Sequence, residues 1–547
     1  MEDVFSTPPQ VNPGSAARLS RFATRVRAEA PSITDCGAAL VSAILLIFAF
    51  PDFNLWPLAW IGLVPLLLTV ASRPQPWRCF LLGWLFGTVF FYGSCYWLTY
   101  SMIHFGGISA WLAFLLILPG AVVLGVFSAV FALLIALAIR RWGTVALFLC
   151  PLFWSALEWA RLGITGQLWN SIGYSQAYQP LLIHTARWGG VYAVGFLIVF
   201  INSAIAFALL KRSANALVAT TGAIALSAIL ILLADRTSVR QWDSEGKAEA
   251  IVVAIQPNVP MEIVKSNEDL RTLSARHFEM SKAALRQLPD DGTPRLVIWP
   301  ESPMNFAYGG DSQFREMIAA FTKTNNTVVL LNSQEAAPND GIYNSAVLVN
   351  QQGSLVAQYD KIRLLPFGEY VPLPRWVPGA GLIRGMVGDF TPGSNYGLMP
   401  VGPVRAGVFI CIESAYPSIA RRFTLEGADV LINISNDGYL GPTAVMRQHL
   451  ANAIFRAVEN GRPLLRVTNT GITAFITPAG EVRDATPGFK PDVRTWRVAR
   501  NASAPTFYAV HGDLFAAGCS VSGFLIFLFS LKRRGSAKRG KKRSAEA

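Results

Sequence analysis

Three short stretches of this chain carry residue types that together make a nucleophilic catalyst. In Gly407-Val408-Phe409-Ile410-Cys411-Ile412-Glu413 a thiol closes an apolar, β-rich run. In Trp299-Pro300-Glu301-Ser302 a carboxylate stands just past the strand pattern of residues 295–299. In Tyr359-Asp360-Lys361-Ile362-Arg363-Leu364-Leu365-Pro366-Phe367-Gly368-Glu369 a lysine opens the Pro- and Gly-rich stretch 360–400. Open α/β sheets bind ligands beyond the carboxyl ends of their strands, so three such ends can converge on one site. There Glu301 takes the thiol proton, Cys411 carries an acyl group, and Lys361 holds the oxyanion formed on attack. Cys36, Cys79, Cys95, Cys150 and Cys519 fall in or beside apolar runs, where a thiol packs as a small hydrophobe. Cys411 is the lone cysteine of residues 235–512 and has no disulfide partner there. Outside the cytoplasm an unpaired thiol calls for a use, although a buried inert cysteine at a strand end fits the same residue.

A frame must hold these residues. Short β-rich runs at 250–256, 295–299, 327–332, 345–350, 405–410, 430–435, 464–469 and 474–477 alternate with helical periodicity over 266–288, 311–324, 415–427 and 443–461. That alternation predicts an α/β domain with a buried sheet. Residues 478–510 read as a polar return toward the next apolar segment.

The rest of the chain is of another kind. Over all 547 residues 52% are hydrophobic and 15% charged, well short of the ~25% charged residues of soluble domains. Eight apolar runs are long enough to be membrane spans: 36–50, 55–71, 79–100, 108–138, 146–160, 189–210, 215–233 and 514–531. The net charge of +13 is no nucleic-acid signal, because residues 235–512 hold 27 Lys/Arg against 26 Asp/Glu. The excess sits beside the spans and in the tail 532–547, with eight basic residues and one acidic. Arg18, Arg21, Arg25 and Arg27 precede the first span; Arg73 and Arg78, Arg140 and Arg141, and Lys211 and Arg212 mark alternate loops. The bias of Lys and Arg toward cytoplasmic loops puts both termini inside and residues 234–513 outside. About 35 mostly polar residues before the first span argue against a cleavable signal.

The three catalytic stretches resemble the nitrilase superfamily, with its Glu-Lys-Cys triad on an α-β-β-α sandwich. With seven spans before that domain and one after it, the whole chain is similar to the apolipoprotein N-acyltransferase family. Tyr343-Asn344-Ser345, Ile434-Ser435-Asn436-Asp437-Gly438, Asn460-Gly461-Arg462-Pro463-Leu464-Leu465-Arg466 and Pro-Phe-Gly-Glu-Tyr-Val-Pro at 366–372 support it. The resemblance implies a multi-pass membrane domain over 36–233, a periplasmic catalytic domain over 234–513, a last helix over 514–531, and cytoplasmic segments 1–35 and 532–547 in a bacterial inner membrane. It implies Glu301 as base, Lys361 as oxyanion stabiliser and Cys411 as nucleophile, with Glu369 bracing the first two. The implied donor is a phospholipid, phosphatidylethanolamine in the usual case; the acceptor is a diacylglyceryl apolipoprotein. No cofactor, metal or nucleic acid is implied, and a monomer is the default. Ile412 departs from the pattern, which has Tyr after the nucleophile in many members.

Other residues admit plainer readings. Glu413 reads either as a structural hydrogen-bonding group or, if the strand continues and it shares a sheet face with Cys411, as positioning the thiol or the incoming amine. Tyr343 and Asn344 read as fold supports and Asn436 and Asp437 as a turn beside the site, all four with a lesser case for substrate contact. Glu158 and Arg161 read as a structural pair near a span end. Trp169, Tyr174 and His184 read as interface anchors or as lining of a lipid entry. A membrane-tethered amidase shares the triad, but seven preceding spans are far more than a tether needs.

Overall fold

The computed structural model describes residues 30–236, 248–261, 266–371 and 389–543, the last fourteen by backbone alone. Arg18, Arg21, Arg25, Arg27, Pro372 and the middle of the irregular stretch lie outside the described residues.

The first half is helical: α1 (Ile33–Ala49), α2 (Val64–Ser72), α3 (Pro76–Ser94), α4 (Leu98–His104), α5 (Ala110–Trp142), α6 (Cys150–Thr165), α7 (Pro180–Ile183), α8 (Ala186–Lys211) and α9 (Ala214–Arg236). Local chemistry starts them. Ser32 caps α1 by accepting from the Asp35 N–H, while the Asp35 carboxylate accepts from the Ser32 N–H and pairs with Arg78 at 2.6 Å. Proline in the first turn opens α2, α3 and α6. Helix α8 is broken where Gly190 takes φ +64°; a Cβ there would stand 2.6 Å from the Tyr508 ring, so the kink needs glycine.

Among the described residues, three helical runs are long and apolar enough to cross a membrane: 110–165, 186–211 and 214–236. The pair 76–94 and 98–104, bent by 51°, makes a fourth if it counts as one span. Ile33–Ala49, Trp56–Ser72 and Leu514–Phe529 are apolar but shorter. All eight expected spans thus fall on helical segments, while length and hydropathy together support three or four crossings.

The second half carries two six-stranded sheets, in the orders β12-β1-β2-β3-β4-β5 and β11-β10-β9-β8-β7-β6. The first contains β1 (Ala250–Gln256), β2 (Arg295–Trp299), β3 (Val328–Ala337), β4 (Gly341–Val349), β5 (Leu355–Asp360) and β12 (Asp492–Val498). The second contains β6 (Met399–Val401), β7 (Val404–Ile410), β8 (Val430–Ser435), β9 (Leu464–Thr468), β10 (Ala474–Ile476) and β11 (Val482–Arg483). Period-two alternation sorts the side chains of the first sheet. Val253, Ile255, Val297, Trp299, Val329 and Leu331 pack outward on α10 (Asn267–Leu285) and α11 (Ser312–Asn325). Val252, Ala254, Leu296, Ile298 and Leu330 face the other way, into the cluster that holds Val408, Ile410, Ile432 and Ile434 of the second sheet. Helices α12 (Pro417–Leu425) and α13 (Val445–Asn460) cover that sheet, completing an α-β-β-α sandwich. Helices α14 (Phe507–His511) and α15 (Leu514–Arg543) lead away from it.

Residues 478–510 are more than a polar return. They include β12, which pairs antiparallel with β1 over its full length and forms the edge of the first sheet. Its exposed or half-buried Arg494, Thr495 and Arg497 hid the strand from a search for apolar runs. Strand β3 also outruns its expected end at 332, because Asn339 and Asp340 at φ +58° and +57° close a tight hairpin into β4.

Candidate active site

Strand β7 ends at Ile410, and Cys411 begins a 3-10 turn with φ +52°, a left-handed conformation that is costly for any residue but glycine. The turn swings the thiol out of the sheet, and partners hold its backbone. The Cys411 carbonyl accepts from His449 Nε2 at 2.9 Å and from Asn433 Nδ2 at 3.3 Å. Glu413 is fully buried; its carboxylate accepts from the Ile410 N–H (2.8 Å), from the Ile362 and Arg363 N–H groups (2.8 and 3.0 Å) and from the Tyr359 hydroxyl. The expected shared face with Cys411 does not exist, since the strand has ended. Glu413 ties the nucleophile turn to the lysine segment instead, and burial pushes its carboxyl pKa up against these donors.

Lys361 follows directly on β5, and its N–H donates to the Asn344 carbonyl at 2.8 Å. Its Nζ donates to Glu369 Oε1 at 2.8 Å and stands 3.7 Å from Glu301 Oε1. The Asn344 amide donates to both carboxylates, at 2.9 Å to Glu301 and 2.7 Å to Glu369, while its own oxygen accepts from Asn332 at 2.7 Å. The other oxygen of Glu301 accepts from the Asn436 N–H at 3.2 Å. Burial works against the Lys361 charge, but Glu369 and Glu301 outweigh it and hold its pKa above the ordinary lysine range. Burial and then Glu301 push the Cys411 thiol up, with Lys361 pulling the other way. At rest the group is therefore a thiol, with a carboxylate near enough to act on it.

Residues 42–204 match the family model described as apolipoprotein N-acyltransferase N-terminal domain, and residues 252–506 match that of carbon-nitrogen hydrolase. An apolipoprotein N-acyltransferase of Geobacter metallireducens is 32% identical over 513 residues, covering 91% of this chain and 95% of its own. That of Allorhizobium ampelinum is 29% identical, over 85% of this chain and 89% of its own. The chain belongs to the apolipoprotein N-acyltransferase family. Among solved structures, an amidase of Nesterenkonia AN1 from the nitrilase superfamily overlaps 49% of this chain and 97% of its own, at 16% identity and a TM-score of 0.34.

Of the residues singled out by sequence, Glu301, Lys361 and Glu369 meet in one hydrogen-bonded cluster. Asn344 is its hub, a larger part than the fold support expected of it. Tyr343, one residue earlier on β4, alternates to the other face and pairs in register with Glu335. Asn436 reaches the site through its backbone N–H, and its side chain bonds Met261 and Asn469. Asp437 is buried under Arg466 (2.9 Å) and His449 (2.8 Å). Burial would raise its pKa, but Arg466 and His449 outweigh that and hold it down to about 2.

Sequence reasoning missed His449 and Gln448, polar residues on the buried length of α13. In this acyltransferase family member Gln448 is a joint between the two halves of the chain. Its Oε1 accepts from the indole N–H groups of Trp97 (3.0 Å) and Trp169 (2.9 Å), and its Nε2 donates to the Pro51 and Ser94 carbonyls, both at 3.0 Å. Trp169, Tyr174 and His184, expected as interface anchors, are buried: Tyr174 bonds Arg456 and His184 bonds the Ala479 carbonyl. Glu158 and Arg161 brace the same loop, Glu158 accepting from Ser171 and the Ile172 N–H, Arg161 donating to the Trp169 carbonyl. Polar residues recur along the whole buried helix, with Asn452, Arg456 and Glu459 beside Gln448 and His449, so the pattern alone did not single out the joint.

Proposed function

We propose that this protein moves an acyl chain from a membrane phospholipid to the α-amine of a diacylglyceryl-cysteine at the N-terminus of an apolipoprotein, through a thioester on Cys411. Phosphatidylethanolamine is the proposed donor. Glu301 accepts the thiol proton and the thiolate attacks the sn-1 ester carbonyl. Lys361, fixed by Glu369, neutralises the tetrahedral oxyanion. Collapse breaks the ester bond, Glu301 returns the proton to the departing glycerol oxygen, and a lysophospholipid leaves. The lipoprotein amine then attacks the thioester, Glu301 takes its proton, and the restored thiol leaves an amide. An amide is more stable than a thioester, so the second step runs downhill. The observation that carries this reading is the Asn344-centred cluster of Glu301, Lys361 and Glu369, whose charges act on the Cys411 thiol, in a chain whose family is apolipoprotein N-acyltransferase.

Membrane placement belongs to the same proposal. The apolar helices over 36–50, 55–71 and 514–531 join the longer ones as spans, with the bent pair 76–104 counted as one and 110–165 as two, giving eight. Both termini are then cytoplasmic, the domain 234–513 periplasmic, and the membrane the bacterial inner one. The family match and the basic residues of alternate loops support this, and a monomer suffices for the chemistry. The test is purified protein with a phospholipid carrying a labelled acyl chain. Label should stay on the denatured wild-type chain, be released by neutral hydroxylamine, and be absent from Cys411→Ala. Without adduct or lysophospholipid, the reading gives way to a tethered amidase.

A further inference from the structure

The nucleophile sits in a left-handed conformation that must be held from outside. Its carbonyl oxygen only accepts hydrogen bonds, so the 2.9 Å contact from His449 Nε2 is a donated one. The same ring is fixed at its other nitrogen: Nδ1 lies 2.8 Å from Asp437 Oδ1, and Asp437 is clamped on both oxygens by Arg466 at 3.2 and 2.9 Å. Burial and Arg466 work against a second proton on the ring and Asp437 works for it; because both ring nitrogens face atoms that only accept, the ring that makes both contacts is the imidazolium, its charge set against Asp437. All four residues are at most partly exposed, and the Trp169 ring lies against the imidazole at 5.6 Å between centroids. The helix that presents His449 is pinned one residue earlier by the four hydrogen bonds of Gln448 to the first half of the chain.

We infer that His449 is a positioning residue for acyl transfer: oriented by Asp437 and Arg466, it holds the Cys411 carbonyl and thereby aims the thiol at Glu301 and the ester carbonyl. It touches no reacting atom. The second donor on that carbonyl, Asn433, is longer at 3.3 Å and shares its amide with the Phe409 carbonyl, so it is the weaker hold. Without His449 the turn can relax toward an ordinary conformation, the thiol loses its line of attack, and acylation slows while phospholipid binding stays as it was.

The test compares His449→Leu, which removes the donor at similar size, with His449→Gln, whose amide can still reach the carbonyl. Single-turnover thioester formation from labelled phosphatidylethanolamine is measured in full-length, detergent-purified protein, with thermal stability recorded alongside. His449→Leu should form thioester 10- to 100-fold more slowly with KM within about threefold of wild type, and His449→Gln should recover to within about fivefold. A His449→Leu rate within threefold of wild type overturns the inference. So does a folded His449→Gln as slow as the leucine variant. Should His449→Leu not fold, His449→Phe takes its place; if neither folds while His449→Gln does, the residue is structural and the inference falls. The inference rests on Cys411 as nucleophile, so Cys411→Ala runs beside them. Adduct surviving in that variant sinks the proposed function itself, whereas a fast His449→Leu sinks only the positioning role.

Discussion

Changing Glu369 to Gln tests the electrostatic logic of the site, because it alters one charge and almost no volume. Three donors point at this carboxylate: Lys361 Nζ at 2.8 Å and the Asn344 amide at 2.7 Å on one oxygen, and the Leu365 N–H at 2.7 Å on the other. Whichever way the glutamine amide turns, its NH₂ meets a donor. One buried N–H then goes without a partner, about 1–3 kcal/mol, and a charge-assisted bond is lost, about 1.5–3 kcal/mol. Coulomb's law at an effective dielectric of 20 gives a gross attraction on Lys361 of about 6 kcal/mol from Glu369 at 2.8 Å. From Glu301 at 3.7 Å it gives about 4–5 kcal/mol. With Glu369 neutral, the lysine is drawn onto Glu301, the proposed acceptor of the thiol proton. A salt-bridged carboxylate holds its charge more tightly and accepts a proton less readily. Removing a negative charge also favours the oxyanion, which offsets part of the loss. The net expectation is about 3–4 kcal/mol, a 10²- to 10³-fold slower thioester formation with phospholipid KM nearly unchanged. The assay is single-turnover labelling of Cys411 with hydroxylamine release. A Glu369→Gln protein that folds normally and acylates within threefold of wild type would refute the claim that Glu369 keeps the lysine off the base.

Glu301→Gln should form no hydroxylamine-labile adduct, since the thiol loses its proton acceptor; a normal adduct would move the base elsewhere. Asp437 has its pKa held down to about 2 by Arg466 and His449 against burial, so its contribution is present above the unfolded value near 4 and lost as pH falls through 2. That is about 2–3 kcal/mol, and Tm measured from pH 5 to 2 should fall less steeply in Asp437→Asn than in wild type; parallel curves would contradict the assignment. Gln448→Leu takes the partner from the Trp169 indole N–H and the Pro51 carbonyl, while the Trp97 indole N–H and the Ser94 carbonyl keep each other at 3.1 Å, at about 2–6 kcal/mol in sum. Its half-life against thermal inactivation should shorten markedly, and an unchanged half-life would show that the two halves are joined elsewhere.

What could be read from sequence here, and what could not, divides by whether a residue acts through its own type or through its surroundings. Glu301, Lys361 and Cys411 stand at or just past strand ends, and alternation placed β1, β2, β7 and β8 within a residue of where they lie. β12 escaped because an edge strand need bury only one face, and its arginines look like a loop. Of the two readings of Glu413, the structural hydrogen-bonding one fits and the shared sheet face does not, because its direction depends on where β7 stops, and only the left-handed turn at Cys411 decides that. Asn344, Gln448 and His449 are legible only in space, where each gathers partners from segments far apart in the chain. Those partners explain why the first half of the chain is more than an anchor. Helix α13 is buried along its length between the second sheet and the kinked α8, with the Glu459 carboxylate accepting from the Val191 N–H at 3.0 Å. The helix that holds the nucleophile's carbonyl is therefore held in turn by the apolar helices. A substrate confined to the bilayer reaches a site at fixed height only if the site cannot drift relative to the membrane. Tying Cys411 through His449 and Gln448 to Trp97, Trp169 and the Ser94 carbonyl meets that demand in a way that a flexible linker to a soluble sandwich could not.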